Sequence, residues 1–90
     1  MEVLFHKKFL KDLAGLPSDF RKRIEKEAFE NFPAAKSLRD IPGAEKMHGY
    51  KNYYKIRFGN YSPDFQVHGN TLILERVMHR KEIYRHFPID

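Results

Sequence analysis

Two Gly-Asn dipeptides constrain the fold of this chain more than any other feature. Gly59-Asn60 and Gly69-Asn70 both stand between segments rich in aromatic and β-branched residues. Glycine adopts the positive φ that tight hairpins need, so such a dipeptide between strand-like segments is typical of a β-hairpin turn. The second half of the chain is therefore predicted to form a three-stranded antiparallel meander, with strands over Tyr50–Phe58, Tyr61–His68 and Thr71–Met78.

The first half predicts one strand and two helices. Glu2–His6 alternates as a short strand does, and Lys7–Leu16 has apolar residues at helical spacing. Ser18 is the predicted N-cap of a second amphipathic helix, which Pro33 is expected to end. The prediction is an α+β fold of order β-α-α-β-β-β, with two N-terminal helices packed on a four-stranded, mostly antiparallel sheet. We expect a single domain over residues 1–90.

Composition excludes several classes of protein. The chain has no cysteine, which rules out disulfides, cysteine-ligated zinc and a cysteine nucleophile. It has no apolar run approaching the roughly 18 residues of a membrane span, and its N-terminus lacks a signal-peptide pattern. We expect a cytoplasmic protein that does not contact a membrane.

Positive charge is concentrated in the second half of the chain. The net charge is +5, and residues 46–90 carry eight Lys and Arg against four Asp and Glu, whereas residues 1–45 carry nine against eight. A basic half in a small domain favours a polyanionic partner such as a nucleic acid. A solvated basic surface without a partner is the alternative that charge alone leaves open.

The predicted meander separates apolar from polar side chains. Alternation places Tyr54, Ile56 and Phe58 on one face and Tyr53, Lys55 and Arg57 on the other. If the helices cover the apolar face, the polar face must remain open or find a partner, since no further element of the chain is available to cover it. The segment 78–85, which runs into a last short helix predicted over Arg80–Phe87, adds more cations and a tyrosine. Cations neutralise phosphates and tyrosines stack on unpaired bases, so this face is a candidate RNA-binding surface.

Two blocks of sequence resemble a known family. Residues 49–61, GYKNYYKIRFGNY, resemble the GYYRIRxGDYR block of RelE/ParE-superfamily toxins, and residues 79–85, HRKEIYR, resemble their C-terminal HRKEVYR block. The resemblance covers nearly the whole chain. It implies a ribosome-dependent endonuclease that cuts mRNA in the A site without a metal or other cofactor. It also implies a cognate antitoxin and, together with that antitoxin, binding to operator DNA.

The resemblance assigns roles to residues of this chain. Lys55 matches a catalytic lysine, Arg57 stands where a second lysine is common, and Arg80 and Tyr84 match the basic residue and the tyrosine of the C-terminal block. Attack of a ribose 2′-OH on the adjacent phosphate builds negative charge, which fixed cations stabilise. Lys55 is expected to stabilise that charge or accept the 2′ proton, Arg57 to clamp the phosphate, and Arg80 to stabilise the leaving 5′ oxygen. Tyr84 is expected to stack on a base or donate a proton.

Other residues are candidates of lower rank. His79 is a second-rank acid–base candidate because histidine ionises near neutral pH. Further RNA contacts are expected from Lys51, Tyr53, Lys81 and Arg85. No metal site is predicted.

The chain departs from the family pattern after the first hairpin turn. Ser62 stands where the family has an arginine that clamps the reacting phosphate, and Pro63 and Asp64 are also unusual there. A missing arginine predicts weakened cleavage that Ser62→Arg should restore. Pro63 removes a backbone donor from a central strand and is a candidate site for a bulge. Asp64 is expected on the open face, where its charge repels RNA.

Two other functions remain open at this stage. A ParE-like toxin inhibits DNA gyrase by binding and needs no nuclease chemistry. A catalytically inactive toxin would serve only as an antitoxin partner and corepressor.

Overall fold

The computed structural model of the chain describes residues 1–82, which form a five-stranded sheet with helices on one face. The strand order is β1-β5-β4-β3-β2, in which β1 is parallel to β5 and the other neighbours are antiparallel. The strands are β1 (Glu2–Phe5), β2 (Glu45–Lys46), β3 (Tyr53–Lys55), β4 (Tyr61–His68) and β5 (Thr71–His79). The α-helices are α1 (Lys7–Ala14), α2 (Ser18–Lys26) and α3 (Phe32–Ala34).

Strand β5 lies inside the sheet, between β1 and β4, as its apolar sequence predicts. It pairs with β4 along nearly its whole length and with β1 through Thr71 to Leu74. Leu72 and Leu74 are fully buried between these neighbours and the helices. The predicted α+β fold is confirmed. The sheet gains a fifth strand, β2, whose two residues are too few to show any alternation in the sequence.

The helices bury one face of the sheet. Phe9 and Leu13 of α1 and Ile24 of α2 join Phe65 of β4 and Leu74 of β5 in one apolar core. Burying a side chain of this size contributes about 1.5–3 kcal/mol relative to leaving it in water. In the part of the chain that the structure describes, no helix is long and apolar enough to cross a membrane.

The helix ends differ from the prediction in two places. Ser18 is the first residue of α2 and Pro17 occupies the cap position, so the predicted serine cap is wrong by one residue. Pro33 does not end the helical segment, because a π-helical turn over Glu27–Asn31 follows α2 and leads into α3. Pro33 then lies in the first turn of α3, where the missing N–H of proline is tolerated.

The first meander strand is shorter than predicted, whereas both hairpin turns are confirmed. Regular pairing is limited to Tyr53–Lys55, and Asn52 has a φ of 65°, which ends the strand on that side. Gly59 and Gly69 have φ values of 60° and 59°. The predicted helix over Arg80–Phe87 lies outside the described residues from position 83 onward, and residues 80–82 form a turn.

We expect Gly59→Ala to destabilise the protein more than Gly69→Ala. Both glycines have a left-handed φ, which costs an alanine about 1–2 kcal/mol. A Cβ at Gly59 would also lie 2.6 Å from Cε1 of Phe20, whereas a Cβ at Gly69 meets nothing within 4 Å. Chemical denaturation should therefore show a loss about 1 kcal/mol larger for Gly59→Ala. Equal losses would mean that Phe20 does not hold the hairpin against α2.

Candidate nucleic-acid interface

Four ionisable residues form a charged row across the sheet on the face away from the helices. Glu45 of β2 lies opposite Lys55 of β3. Lys55 lies opposite Asp64 of β4, and Asp64 lies opposite Arg76 of β5. Residues directly opposite each other in a sheet share a face. The adjacent core residues Tyr54 and Phe65 point to the helices, so Lys55 and Asp64 point away from them. The predicted alternation is confirmed for this part of the meander.

This second face is not open throughout, contrary to the prediction. Met47 is 1% exposed and packs with Met78 of β5, and Tyr50 and Tyr53 pack against this pair. The N–H of Met47 donates to the carbonyl of Tyr53, and positive φ values at Gly49 and Asn52 turn the connecting segment back toward the sheet. The prediction failed because residues 47–52 have no periodicity that would mark them as a covering element.

Ser62 does not occupy the position of a phosphate clamp. Its side chain is buried, and its Oγ donates a hydrogen bond of 2.6 Å to the carbonyl of Ile56. Ile56 donates its own N–H to the carbonyl of Pro63, but proline has no N–H to return. The serine hydroxyl therefore supplies the donor that Pro63 removes from the ladder. Ser62 thus compensates for the backbone donor that its neighbour Pro63 lacks in β4.

The sequence made Pro63 a candidate for a β-bulge, but the bulge lies on β5 instead. The register shifts between Asp64 and Phe65, where Glu75 is the extra residue on β5. Pro63 itself keeps its place opposite Val77. The proline is tolerated without a bulge because its ring nitrogen points toward β3, where Ser62 makes the missing bond.

Asp64 presents no negative charge to the solvent, so this prediction was also wrong. Its side chain is 0% exposed, and neither carboxylate oxygen has a hydrogen-bond partner among residues 1–82. Burial raises the pKa of Asp64 to about 9, although the nearby Lys55 acts in the opposite direction. The carboxyl group therefore holds its proton at neutral pH. The open face keeps its positive charge.

Arg76 at the other end of the row is held by α1. Its Nε and Nη2 donate to the two carboxylate oxygens of Asp12 at 2.6 and 3.1 Å. Oδ2 of Asp12 also accepts the N–H of Val77 at 3.3 Å, at the edge of β5 that β1 does not cover. The hydrogen bonds with Asp12 raise the pKa of Arg76. The sequence gives no signal for this clamp, since its partners are 64 residues apart.

The other predicted cations lie around the first hairpin turn, Gly59-Asn60, and near residues 47–52, which cover part of the second face. Arg57 is exposed just before the turn, and the N–H of Arg80 donates to the carbonyl of Asn60 within it. Arg80 is also exposed, so both guanidinium groups are available at this end of the sheet. Lys51 and Lys81 are exposed, while Tyr84 and Arg85 lie outside the described residues.

His79 lies on the helix side of the sheet rather than beside Lys55. Its ring makes an edge contact with Tyr61, which in turn contacts Phe20 of α2. Nδ1 of His79 accepts the N–H of Lys81 at 3.2 Å, so the side chain caps the turn that follows β5. This arrangement separates His79 from the charged row.

A polar chain that the sequence analysis missed continues along the open face. Nε2 of Gln66 donates to Oε1 of Glu75, and Oε1 of Gln66 lies 2.8 Å from Nε2 of His68. Glu75 is 3% exposed, and burial raises its pKa. The bulge turns Glu75 to this face, and a bulge has no sequence signal here. Among residues 1–82, no three His, Asp or Glu side chains are grouped so that they could hold a metal ion.

Comparison with known proteins places the chain in a family. Residues 3–84 match the model of the family described as ParE toxin of type II toxin–antitoxin system, parDE. This chain belongs to the RelE/ParE superfamily of type II toxins. Toxin RelE3 from Methanocaldococcus jannaschii is 48% identical over 89 residues, which span 98% of this chain and 100% of the relative. The resemblance noted in the two sequence blocks is thereby confirmed.

Solved structures agree with this assignment. The toxin of the RelB-RelE antitoxin-toxin complex from Methanococcus jannaschii superposes with a TM-score of 0.79 at 48% identity, over 94% of this chain and 99% of that chain. The RelBE2 complex from Mycobacterium tuberculosis matches with a TM-score of 0.69 at 21% identity, over 88% and 96% of the two chains, and supports the fold alone. The toxin is of the RelE type.

We expect the stability cost of Ser62→Ala to depend on residue 63. In the parent, Ser62→Ala leaves the Ile56 carbonyl without its donor, and an unsatisfied buried group costs about 1–3 kcal/mol. With Pro63→Val, the new N–H can bond to Ile56, so Ser62→Ala should cost clearly less. A double-mutant cycle by urea denaturation measures this coupling. Strict additivity would show that the hydroxyl does not replace the proline's donor.

We expect Asp64 to contribute a loss of stability as the pH rises from about 4 to about 9. In this range an unfolded Asp64 is ionised while the folded one is protonated, so the folded state binds more protons and rising pH favours unfolding. The slope contributed by this group is up to about 1.4 kcal/mol per pH unit. Asp64→Asn should remove this contribution, as urea denaturation between about pH 5 and pH 8 can measure. Asp40→Asn, at an exposed carboxylate, is the control that should keep it.

Proposed function

We propose that this toxin is an endoribonuclease that cleaves mRNA in the ribosomal A site. The observation that carries the proposal is a sheet face with Lys55 on it and with the exposed Arg57 and Arg80 near its end, on which the acidic Asp64 beside Lys55 is buried and protonated. Lys55 therefore faces no ionised carboxylate on β4, and the exposed Glu45 on β2 is the acidic group that remains beside it. The 48% identity to Toxin RelE3 supports the RelE-type reaction over other uses of the face.

The proposed chemistry is attack of the ribose 2′-OH on the adjacent phosphate. The 2′ oxygen forms a bond to phosphorus as the bond to the 5′ oxygen breaks, giving a cyclic phosphate and a free 5′-OH. Lys55 stabilises the charge that develops on the phosphate oxygens or accepts the 2′ proton. Arg57 clamps the phosphate, since a guanidinium group binds two phosphate oxygens at once. Arg80 stabilises the leaving 5′ oxygen, and Tyr84 stacks on a base or donates a proton.

The phosphate clamp must come from residues other than Ser62. The hydroxyl of Ser62 is already bonded to the carbonyl of Ile56 and is buried. We therefore assign the clamp to the exposed Arg57 and Arg80 on either side of the hairpin turn. Ser62→Arg adds a cation but also removes the hydroxyl that Pro63 depends on, so a gain in cleavage from it would come with a loss of stability.

His79 has a structural role in this proposal. Its Nδ1 already accepts a backbone N–H, and its ring faces the helix side. Lys51, Tyr53, Lys81 and Arg85 are assigned to RNA binding around the reacting phosphate rather than to the reaction itself.

We also propose that a cognate antitoxin binds this toxin and that the complex binds operator DNA. Similar toxins have been solved in complexes with RelB antitoxins. In this chain Leu10 and Phe29 are nearly half exposed and line one hollow between α1 and α2. Exposed apolar side chains of this size are typical of a surface that a partner covers.

The test is mRNA cleavage in a translating extract with the parent, Lys55→Ala and Lys26→Ala. We expect ribosome-dependent cuts from the parent and a loss on the order of 100-fold or more for Lys55→Ala. Lys26 is an exposed cation on α2, away from the candidate face, so Lys26→Ala should cleave as the parent does. Equal activity of all three proteins would remove Lys55 from the reaction.

Inhibition of DNA gyrase is the second candidate, because the matching family model is that of ParE toxins. A supercoiling assay with the same protein separates the two functions. Inhibited supercoiling with intact mRNA would overturn the ribonuclease proposal. If the toxin affects neither process, antitoxin binding and corepression become its function.

A further inference from the structure

His68 is an exposed histidine that the proposed chemistry does not use. It is the last residue of β4, and its Nε2 lies 2.8 Å from Oε1 of Gln66. Nε2 of Gln66 donates in turn to Oε1 of Glu75, which is 3% exposed. An exposed side chain is thus tied to a buried carboxyl group through one amide. The second hairpin does not require this chain of contacts, since its turn is already formed by Gly69 and by the pairing of β4 with β5.

These hydrogen bonds fix which ring nitrogen of His68 carries the proton. An amide oxygen can only accept, so Nε2 of His68 donates to Oε1 of Gln66. In the neutral ring, Nδ1 is then an acceptor. Among residues 1–82, Nδ1 of His68 has no hydrogen-bond partner. The contacts with Gln66 therefore hold the ring and leave one acceptor for a ligand.

His68 lies on the same sheet face as the charged row, at the far end of β4. Alternation along β4 puts it on the face of Asp64, which lies opposite Lys55. Four residues separate His68 from Asp64, which is roughly 13 Å along the strand. Arg57 and Arg80 lie at the other end of β4, by the first hairpin turn. An RNA strand that follows β4 past Lys55 would meet His68 on one side and the two arginines on the other.

We infer that His68 is a further RNA-contact residue, whose Nδ1 accepts a hydrogen bond from a nucleotide of single-stranded mRNA. The inference rests on the proposed function, in which the reacting phosphate lies at Lys55. Phosphate oxygens only accept, so the donor is a ribose 2′-OH or an N–H group of a base. Gln66 and Glu75 are positioning residues, because they hold the ring in its binding orientation before RNA arrives.

The first experiment is NMR of the histidine rings in the free protein at about pH 8, where a histidine of ordinary pKa is neutral. In the parent, the ring nitrogens of His68 should show the Nε2–H tautomer. Gln66→Leu removes the amide at similar size and should give a mixture of tautomers. Thr71→Val is the matched control, since Thr71 lies opposite His68 but its hydroxyl donates to Glu2. The same mixture in the parent and in Gln66→Leu would overturn the positioning role.

The second experiment adds a short single-stranded RNA and follows the Nδ1 signal of His68. Binding should shift this signal together with the ε-methylene signals of Lys55. His68→Ala should weaken binding roughly threefold to tenfold, which is the effect of one hydrogen bond. Gln66→Leu should weaken it by a smaller factor, and Thr71→Val should bind as the parent does. Because His68 is exposed, its replacement leaves the packing of the core unchanged.

A DNA strand of the same sequence separates the two kinds of donor. Loss of the His68 shift with DNA assigns the contact to the 2′-OH, because DNA lacks that group. A shift that remains with DNA assigns it to an N–H group of a base.

The outcomes also separate this inference from the proposed function. An RNA that shifts Lys55 but not His68, with His68→Ala binding as tightly as the parent, would overturn the inference alone. A parent that cuts no mRNA in the translating extract, but loses RNA affinity on His68→Ala, would overturn the ribonuclease and keep the contact. A parent that binds no RNA would overturn both.

Discussion

A single extra residue on β5 determines which of its side chains reach each face of the sheet. Glu75 is inserted in β5 where the register with β4 shifts. Leu72 and Leu74 face the helices before this bulge, and Val77 does so after it. Simple alternation from Leu74 would instead have sent Arg76 and Met78 into the core. The charged row and the methionine pair on the other face therefore both depend on the bulge.

The same strand also ties the helices to the sheet. Beyond Leu74, β1 no longer covers the edge of β5, and Asp12 of α1 takes its place by binding Arg76 and the N–H of Val77. This satisfies an edge donor that would otherwise lack a partner. It also engages Arg76, which belongs to the charged row on the opposite face. The packing of the N-terminal helix thus reaches the candidate site on the opposite face.

Sequence reasoning predicted the parts of the fold that local chemistry specifies. The Gly-Asn turns, the apolar β5 and the two helices follow from φ requirements and periodicity, and they lie close to their predicted positions. Family resemblance and alternation predict Lys55 and Arg57 as site residues. The failures at Pro33, Ser62 and Asp64 share a cause, since each residue was judged by its usual behaviour alone. A π-helical turn at Pro33, a hydrogen bond to a neighbouring carbonyl at Ser62 and complete burial at Asp64 changed what each residue does.

The sequence by itself determined the fold class, the toxin family and the positive charge of the polar face. The fold class, the family and the charge follow from residue types at short spacing along the sequence, and this spacing does not depend on the folded structure. Only the tertiary structure decided that Ser62 completes the backbone ladder, that Asp64 is buried and protonated, and that Asp12 clamps Arg76. Burial and hydrogen-bond partners depend on residues far apart in the chain. A proline or an aspartate therefore acquires its role from neighbours that no local pattern shows.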